Sequence, residues 1–202
     1  VKPGLLNVCL ALGLAASLPA LGQTTQQQTQ QQATREMARG KVKGDAFVRR
    51  AARDNEMEVR MSQMAQDRSQ NDAVRQYAQR LKQDHSEANK KLKTIASDLN
   101  IQLAPPVAAD QRQMPADREM QRLQGMSGDQ FDRQFVETQI RHHRRDIAQY
   151  EQIANDANVN PEIRQYAEQT LPALREHLQM AQDIQTQLNA ARRSGAAGRT
   201  GQ

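Results

Sequence analysis

From Val74 to Leu99 the apolar positions recur at alternating steps of four and three: Val74, Ala78, Leu81, Ala88, Leu92, Ile95 and Leu99. That spacing is one face of an amphipathic helix packing into a bundle. His85 stands where the next apolar residue is due. Three other stretches carry the same period, and each has an ionisable residue in the same relative place. A first helix, predicted from near Gly44-Asp45 to Asp67, has an inner face of Phe47, Val48, Ala51, Ala52, Val59, Met61 and Ala65. Glu58 falls on the Phe47–Ala51–Met61–Ala65 line, whereas Glu56 points to the far side. A third helix shows Val136, Ile140, Ile147, Tyr150 and Ala154 with His143 among them. The fourth shows Ile163, Ala167, Thr170, Leu174, Ala181, Ile184 and Leu188 with His177 among them.

The punctuation between these stretches agrees with the periods. Ser69-Gln70-Asn71-Asp72 reads as a short polar turn with Asn71 as an N-cap, and Ser127 is expected to cap the third helix with Asp129 in its first turn. Asn160-Pro161-Glu162 is a cap, a proline at the first helical position and an acid. Between Asn100 and Ser127 the pattern fails at Pro105, Pro106 and Pro115, which predicts a long connection with one short helix over 117–124. Such a connection suits a bundle in which the chain must travel back along its length. Pro172 lies inside the fourth helix and predicts a kink with a freed carbonyl at Glu168. VRQYAQ from Val74 and IRQYAE from Ile163 repeat one another after matching Asn caps, as in a duplicated helical hairpin.

Composition narrows the class. Aromatic residues make up 3% of 202 positions and Trp is absent, too few for a sheet protein and ample for an all-α one. The start of the chain reads as a secretory signal over residues 1–22: Lys2, an apolar run from Leu5 to Leu18, then Ala20-Leu21-Gly22 at cleavage spacing. Residues 23–43, opening on a Gln and Thr tract, read as a disordered spacer. The bundle is expected over 44–191, and a frayed basic tail over 192–202. The one Cys, Cys9, lies in the signal, so the mature chain has no thiol for disulfides, catalysis or metal ligation. These features predict an exported, periplasm-type protein without a transmembrane segment. The formal net charge of +5 suits a solvated basic surface or contact with an anionic envelope component. No basic patch interleaved with aromatics points to nucleic acid.

Glu58, His85, His143 and His177 thus lie in four seams at similar depth. Imidazole and carboxylate are ligands for zinc, iron, manganese or copper, and a bundle core holds them dry and fixed. Asp84, Asp146 and Glu176, with Tyr77, Tyr150 and Tyr166, are candidates to orient them. The alternative is a structural or interaction module in which the same groups form a polar network that specifies helix register. The Glu-x-x-His spacing of di-iron bundles is absent, as are nucleophile motifs and phosphate loops. Nothing identifies a reaction, and the pattern points to a binding protein rather than an enzyme.

EVRMSQMA from Glu58, QYAQRLKQDH ending at His85, FDRQFVETQIRHH ending at His143 and LPALREHL around His177 resemble a bacterial family of unknown function. Its members are secreted, are often labelled outer membrane proteins, and are ferritin-like in fold. The resemblance covers roughly Asp45 to Leu188. It implies a four-helix bundle outside the cytoplasm, with its motifs falling on Glu58, His85, His143 and His177. No barrel-strand pattern or lipid anchor accompanies the label.

Overall fold

The computed structural model describes residues 21–103 and 115–197. All the regular structure among them is helical: α1 Leu21–Arg68, α2 Asp72–Asp98, α3 Pro115–Gln124, α4 Gly128–Ala154 and α5 Pro161–Ala197. By internal contacts the chain divides into Val1–Glu36 and Met37–Gln202. In the first, residues 26–36 are exposed, and the helix is laced by Gln32 Nε2 donating to Glu36 Oε1 at 3.2 Å and Thr34 Oγ1 to the Gln30 carbonyl at 2.8 Å. The second unit holds the bundle: α4 packs against α5, α2 against α5, and α3 against α4.

The predicted seams are the buried ones. In α2, Val74, Ala78, Leu81, His85, Leu92 and Ile95 are buried. In α5, Ile163, Ala167, Leu174, His177, Ala181, Ile184 and Leu188 are. The repeated hexapeptides bury equivalent residues, Val74, Tyr77 and Ala78 in one and Ile163, Tyr166 and Ala167 in the other, in separate parts of the core. Asn71 Oδ1 accepts from the Val74 amide at 3.2 Å, and Asn160 Oδ1 from the Glu162 amide at 2.8 Å. Asn100 ends α2 in the left-handed region at φ 54°. There Ile101 N–H donates back to the Ala96 carbonyl at 2.7 Å and Asn100 N–H to Ser97 at 3.2 Å, closing the helix end in a Schellman arrangement.

Some boundaries differ from the sequence expectation. Residues 23–43, expected as a spacer, are helical, so α1 begins at Leu21 rather than near Gly44. Gln is a good helix former even where nothing is buried, and burial in the bundle starts before Gly44. A Cβ on Gly40 would lie 1.9 Å from the Asn158 carbonyl oxygen, so α1 and the α4–α5 loop touch where only hydrogen fits. The expected tail at 192–202 is helical as far as Ala197. Ser127 occupies the N-cap of α4, but its side chain caps nothing. Val59 is only half-buried and Met57 takes its place in the core. The expected signal lies outside the described residues, apart from 21–22, which open α1.

The core is in two parts. One gathers Phe47, Val48, Leu92, Tyr150, Ile163 and Leu174 with their neighbours. The other gathers Met61, Tyr77, Leu81, Leu123, Phe135 and Ile184 with theirs. Between them runs a layer of buried polar side chains: Asn55 and Glu58 from α1, His85 and Asn89 from α2, His142, His143 and Asp146 from α4, and His177 from α5. No described helix is long and apolar enough to cross a membrane.

Candidate metal centre

His85, His143 and His177 come from the middles of α2, α4 and α5, where the backbone is fully bonded and the ring is carried inward by its seam position. Their ring centroids lie 5.2–5.6 Å apart, and one nitrogen from each falls within 4.8 Å of the other two. All three are at most 4% exposed.

The outward nitrogen of each ring is committed. His143 Nδ1 is 2.9 Å from the Gln139 carbonyl and His177 Nε2 is 2.9 Å from Asp84 Oδ2. Both partners only accept, so each of those nitrogens carries the proton. His85 Nδ1 is 2.8 Å from Asn55 Oδ1, which also accepts. The tautomers follow: His85 Nε2, His143 Nε2 and His177 Nδ1 turn lone pairs inward. His85 Nε2 has no hydrogen-bond partner. His143 Nε2 and His177 Nδ1 face each other at 3.3 Å. Two lone pairs at that distance repel, and a proton between them would make one ring a buried cation. A metal at the common focus answers both. The 3.3 Å between His143 and His177 equals a tetrahedral edge at zinc–nitrogen distances of about 2.0–2.1 Å. The three nitrogens together span up to 4.8 Å, so the rings would draw in by about 1 Å around an ion.

Burial dominates the acid–base state. It pushes the His85 and His143 imidazoles down, to about 4 and about 3, and lowers His177 despite the opposing pull of Asp84. The three rings are therefore neutral at pH 7, the form that binds metals.

Glu58 lies beside this triad rather than in it. Its Oε1 is 2.7 Å from His142 Nδ1, while its Oε2 is buried without a partner. Burial alone would raise the Glu58 carboxyl, but the bond and charge of His142 outweigh it and bring it down; the same pair raises His142 above the usual imidazole range against burial. His142 Nε2 meets Glu119 Oε2 at 2.6 Å, and Arg141 meets Glu119 Oε1 at 2.6 Å, so α3 is tied to α4 above the site.

Of the expected orienting residues, Asp84 does that work on His177, itself held by Arg80 at 2.5 Å. Asp146 accepts from Arg145 Nε at 2.9 Å rather than from either histidine, and lines a cavity together with α1's Asp54. Burial raises its carboxyl to about 6. Glu176 is on the surface, 3.5 Å from Arg80, since it adjoins His177 in sequence and so points off the seam. Tyr77 packs on Phe135, and Tyr150 and Tyr166 on Phe47, within the two apolar clusters. Seam reading overlooked Asn55, Gln139 and His142. Each stands at helical spacing among buried residues: Asn55 four after Ala51, Gln139 four before His143, and His142 on a second stripe, Phe131–Phe135–Thr138–His142–Asp146.

The profile of one family, the Domain of unknown function DUF4142, matches residues 22–184. The chain belongs to the DUF4142 family. This DUF4142 chain is similar in structure to a DUF305 fragment from Deinococcus radiodurans, with a TM-score of 0.62 at 18% identity, over 72% of this chain and 96% of that one. It is also similar to a DUF305 protein of Streptomyces coelicolor described as secreted, with a TM-score of 0.60 at 18% identity, over 72% and 94%. At that identity the likeness speaks for the all-α bundle alone. No curated protein matches the sequence.

Proposed function

We propose that this DUF4142 protein is an exported metal-binding bundle that takes one transition-metal ion on His85 Nε2, His143 Nε2 and His177 Nδ1. The observation that carries the reading is the inward convergence of three neutral imidazole lone pairs, each fixed by an acceptor on its far nitrogen. Such outer partners hold ring orientation and tautomer in histidine metal sites. An all-imidazole set favours zinc or copper over manganese, which prefers oxygen donors. Export is supported by the signal pattern at residues 1–22 and by the described secretion of a fold relative.

X-ray absorption on zinc-loaded protein tests the donor set. The reading expects nitrogen scatterers near about 2.0 Å with the outer-shell pattern of three imidazoles. A shell of oxygens without imidazole scattering would overturn it.

A further inference from the structure

We infer that the metal centre keeps a coordination position open to one small exogenous Lewis base, a water or hydroxide replaceable by a small inorganic anion, and that Glu58 receives that ligand's hydrogen bond. This deepens the metal reading and rests on it. The triad supplies three ligands, one short of the four that close a structural site. On its α1 side lies a cavity with about 10 Å³ of room for the centre of a water molecule, the least that holds one water. Of the three histidines His85 alone lines it; Asn55, Glu58, Asp54, Asp146 and Gln149 complete its polar side, with Phe47 and Leu174 on the apolar side. Two of the polar atoms there are buried and lack partners besides His85 Nε2 itself: Glu58 Oε2, an acceptor, and Asn55 Nδ2, a donor. Glu58 and Asn55 are 2% and 4% exposed, so bulk water does not satisfy them, and burying them unpaired is costly. A metal-bound water placed there donates to Glu58 Oε2 and accepts from Asn55 Nδ2. Glu58 is spared from ligation because His142 holds its other oxygen at 2.7 Å. The cavity's room is that of a single water, and an anion replaces that water by placing one terminal atom in its position.

The test uses full-length mature protein loaded with cobalt(II), followed by its visible spectrum during azide titration. The inference expects a saturable one-to-one change as azide replaces water. In Glu58→Gln, cobalt stays bound and azide binds about tenfold more tightly, because the amide removes a negative charge and offers a donor to an anion that cannot donate. The wild-type titration decides by itself, so a misfolded variant leaves the test intact. Cobalt bound with a spectrum that saturating azide leaves unchanged overturns the open position and spares the metal reading. Loss of cobalt from a folded Glu58→Gln variant makes Glu58 the fourth ligand and likewise overturns it. Protein that binds no cobalt overturns both.

Discussion

Replacing His177 by Leu separates a metal site from a structural network. His177 is 1% exposed and touches two polar partners, Asp84 at 2.9 Å and His143 at 3.3 Å. Leu fills a similar volume and leaves neither partner stranded. Asp84 is 22% exposed and keeps Arg80, and His143 loses only an opposing lone pair. Without metal the variant should therefore lie within about 1–2 kcal/mol of wild type, in either direction. Metal changes the comparison. Wild type in free zinc about 1,000-fold above its Kd gains about 4 kcal/mol, or about 8–16 °C in Tm for a domain of this size. His177→Leu should lose most of that gain. Calorimetry on both proteins, with zinc and with chelator, measures all four states. An equal zinc-induced shift in wild type and variant would refute the ligand assignment. A variant more than about 3 kcal/mol weaker in chelator would show instead that the polar layer holds the fold together.

Gly40→Ala should destabilise the protein by about 1–3 kcal/mol in urea unfolding, since the added carbon meets the Asn158 carbonyl at 1.9 Å and neither backbone yields cheaply; a gain of about 1 kcal/mol, as at an exposed helical glycine, would contradict the close approach. Asn100→Gly should stabilise by about 0.5 kcal/mol, because the φ of 54° costs glycine nothing, and a loss in the same assay would contradict the helix end described above. The chelated protein should lose stability as pH falls from about 6 towards 4. In the unfolded chain His85 and His143 take protons near about 6.5, in the folded one only near 4 and 3, so the unfolded state binds more protons over that window and the slope flattens as the folded values are reached. Asp146, raised to about 6, and His142, raised to about 9, oppose this, His142 chiefly above about pH 6.5 where the unfolded imidazole is still losing its proton. Glu58, lowered to about 2, adds to the loss below about pH 4.5, and a flat profile between about pH 6 and 4 would contradict the neutral buried rings.

The helices were legible because their seams are regular: His85, His143, His177 and Glu58 each stand where an apolar residue is due, and all four are buried. Depth along a helix follows from counting residues, so their meeting in one layer could be anticipated. What each one touches could not. Seam position fixes a face and not a rotamer, and Glu58 was free to turn to His142 instead of joining the triad. Asn55 and Gln139 stand at helical spacing from Ala51 and Glu58 and from Phe135 and His143, but an uncharged amide there does not announce a partner. Asn55 was an unremarked polar residue between buried ones, and Gln139 acts through its backbone carbonyl, which any residue would supply. Glu176 and Asp146 were chosen for closeness in sequence to histidines, but side chains one apart on a helix diverge and a single turn can aim elsewhere. The Gln-rich start of α1 buries nothing over residues 26–36, and a solvated helix and a disordered tract have the same composition. Gly40 is the residue that betrays packing there, and a glycine inside a polar tract reads the other way from sequence alone.

The central claim is that three histidines from α2, α4 and α5 share one ion. Elemental analysis of the full chain, purified without chelator or affinity tag, beside the His85→Ala, His143→Ala double variant measures this directly. Near one equivalent of zinc or copper is expected in wild type and none in the folded variant. Metal-free wild type that also gains no thermal stability from added zinc or copper would contradict it, as would an equal metal content in both proteins.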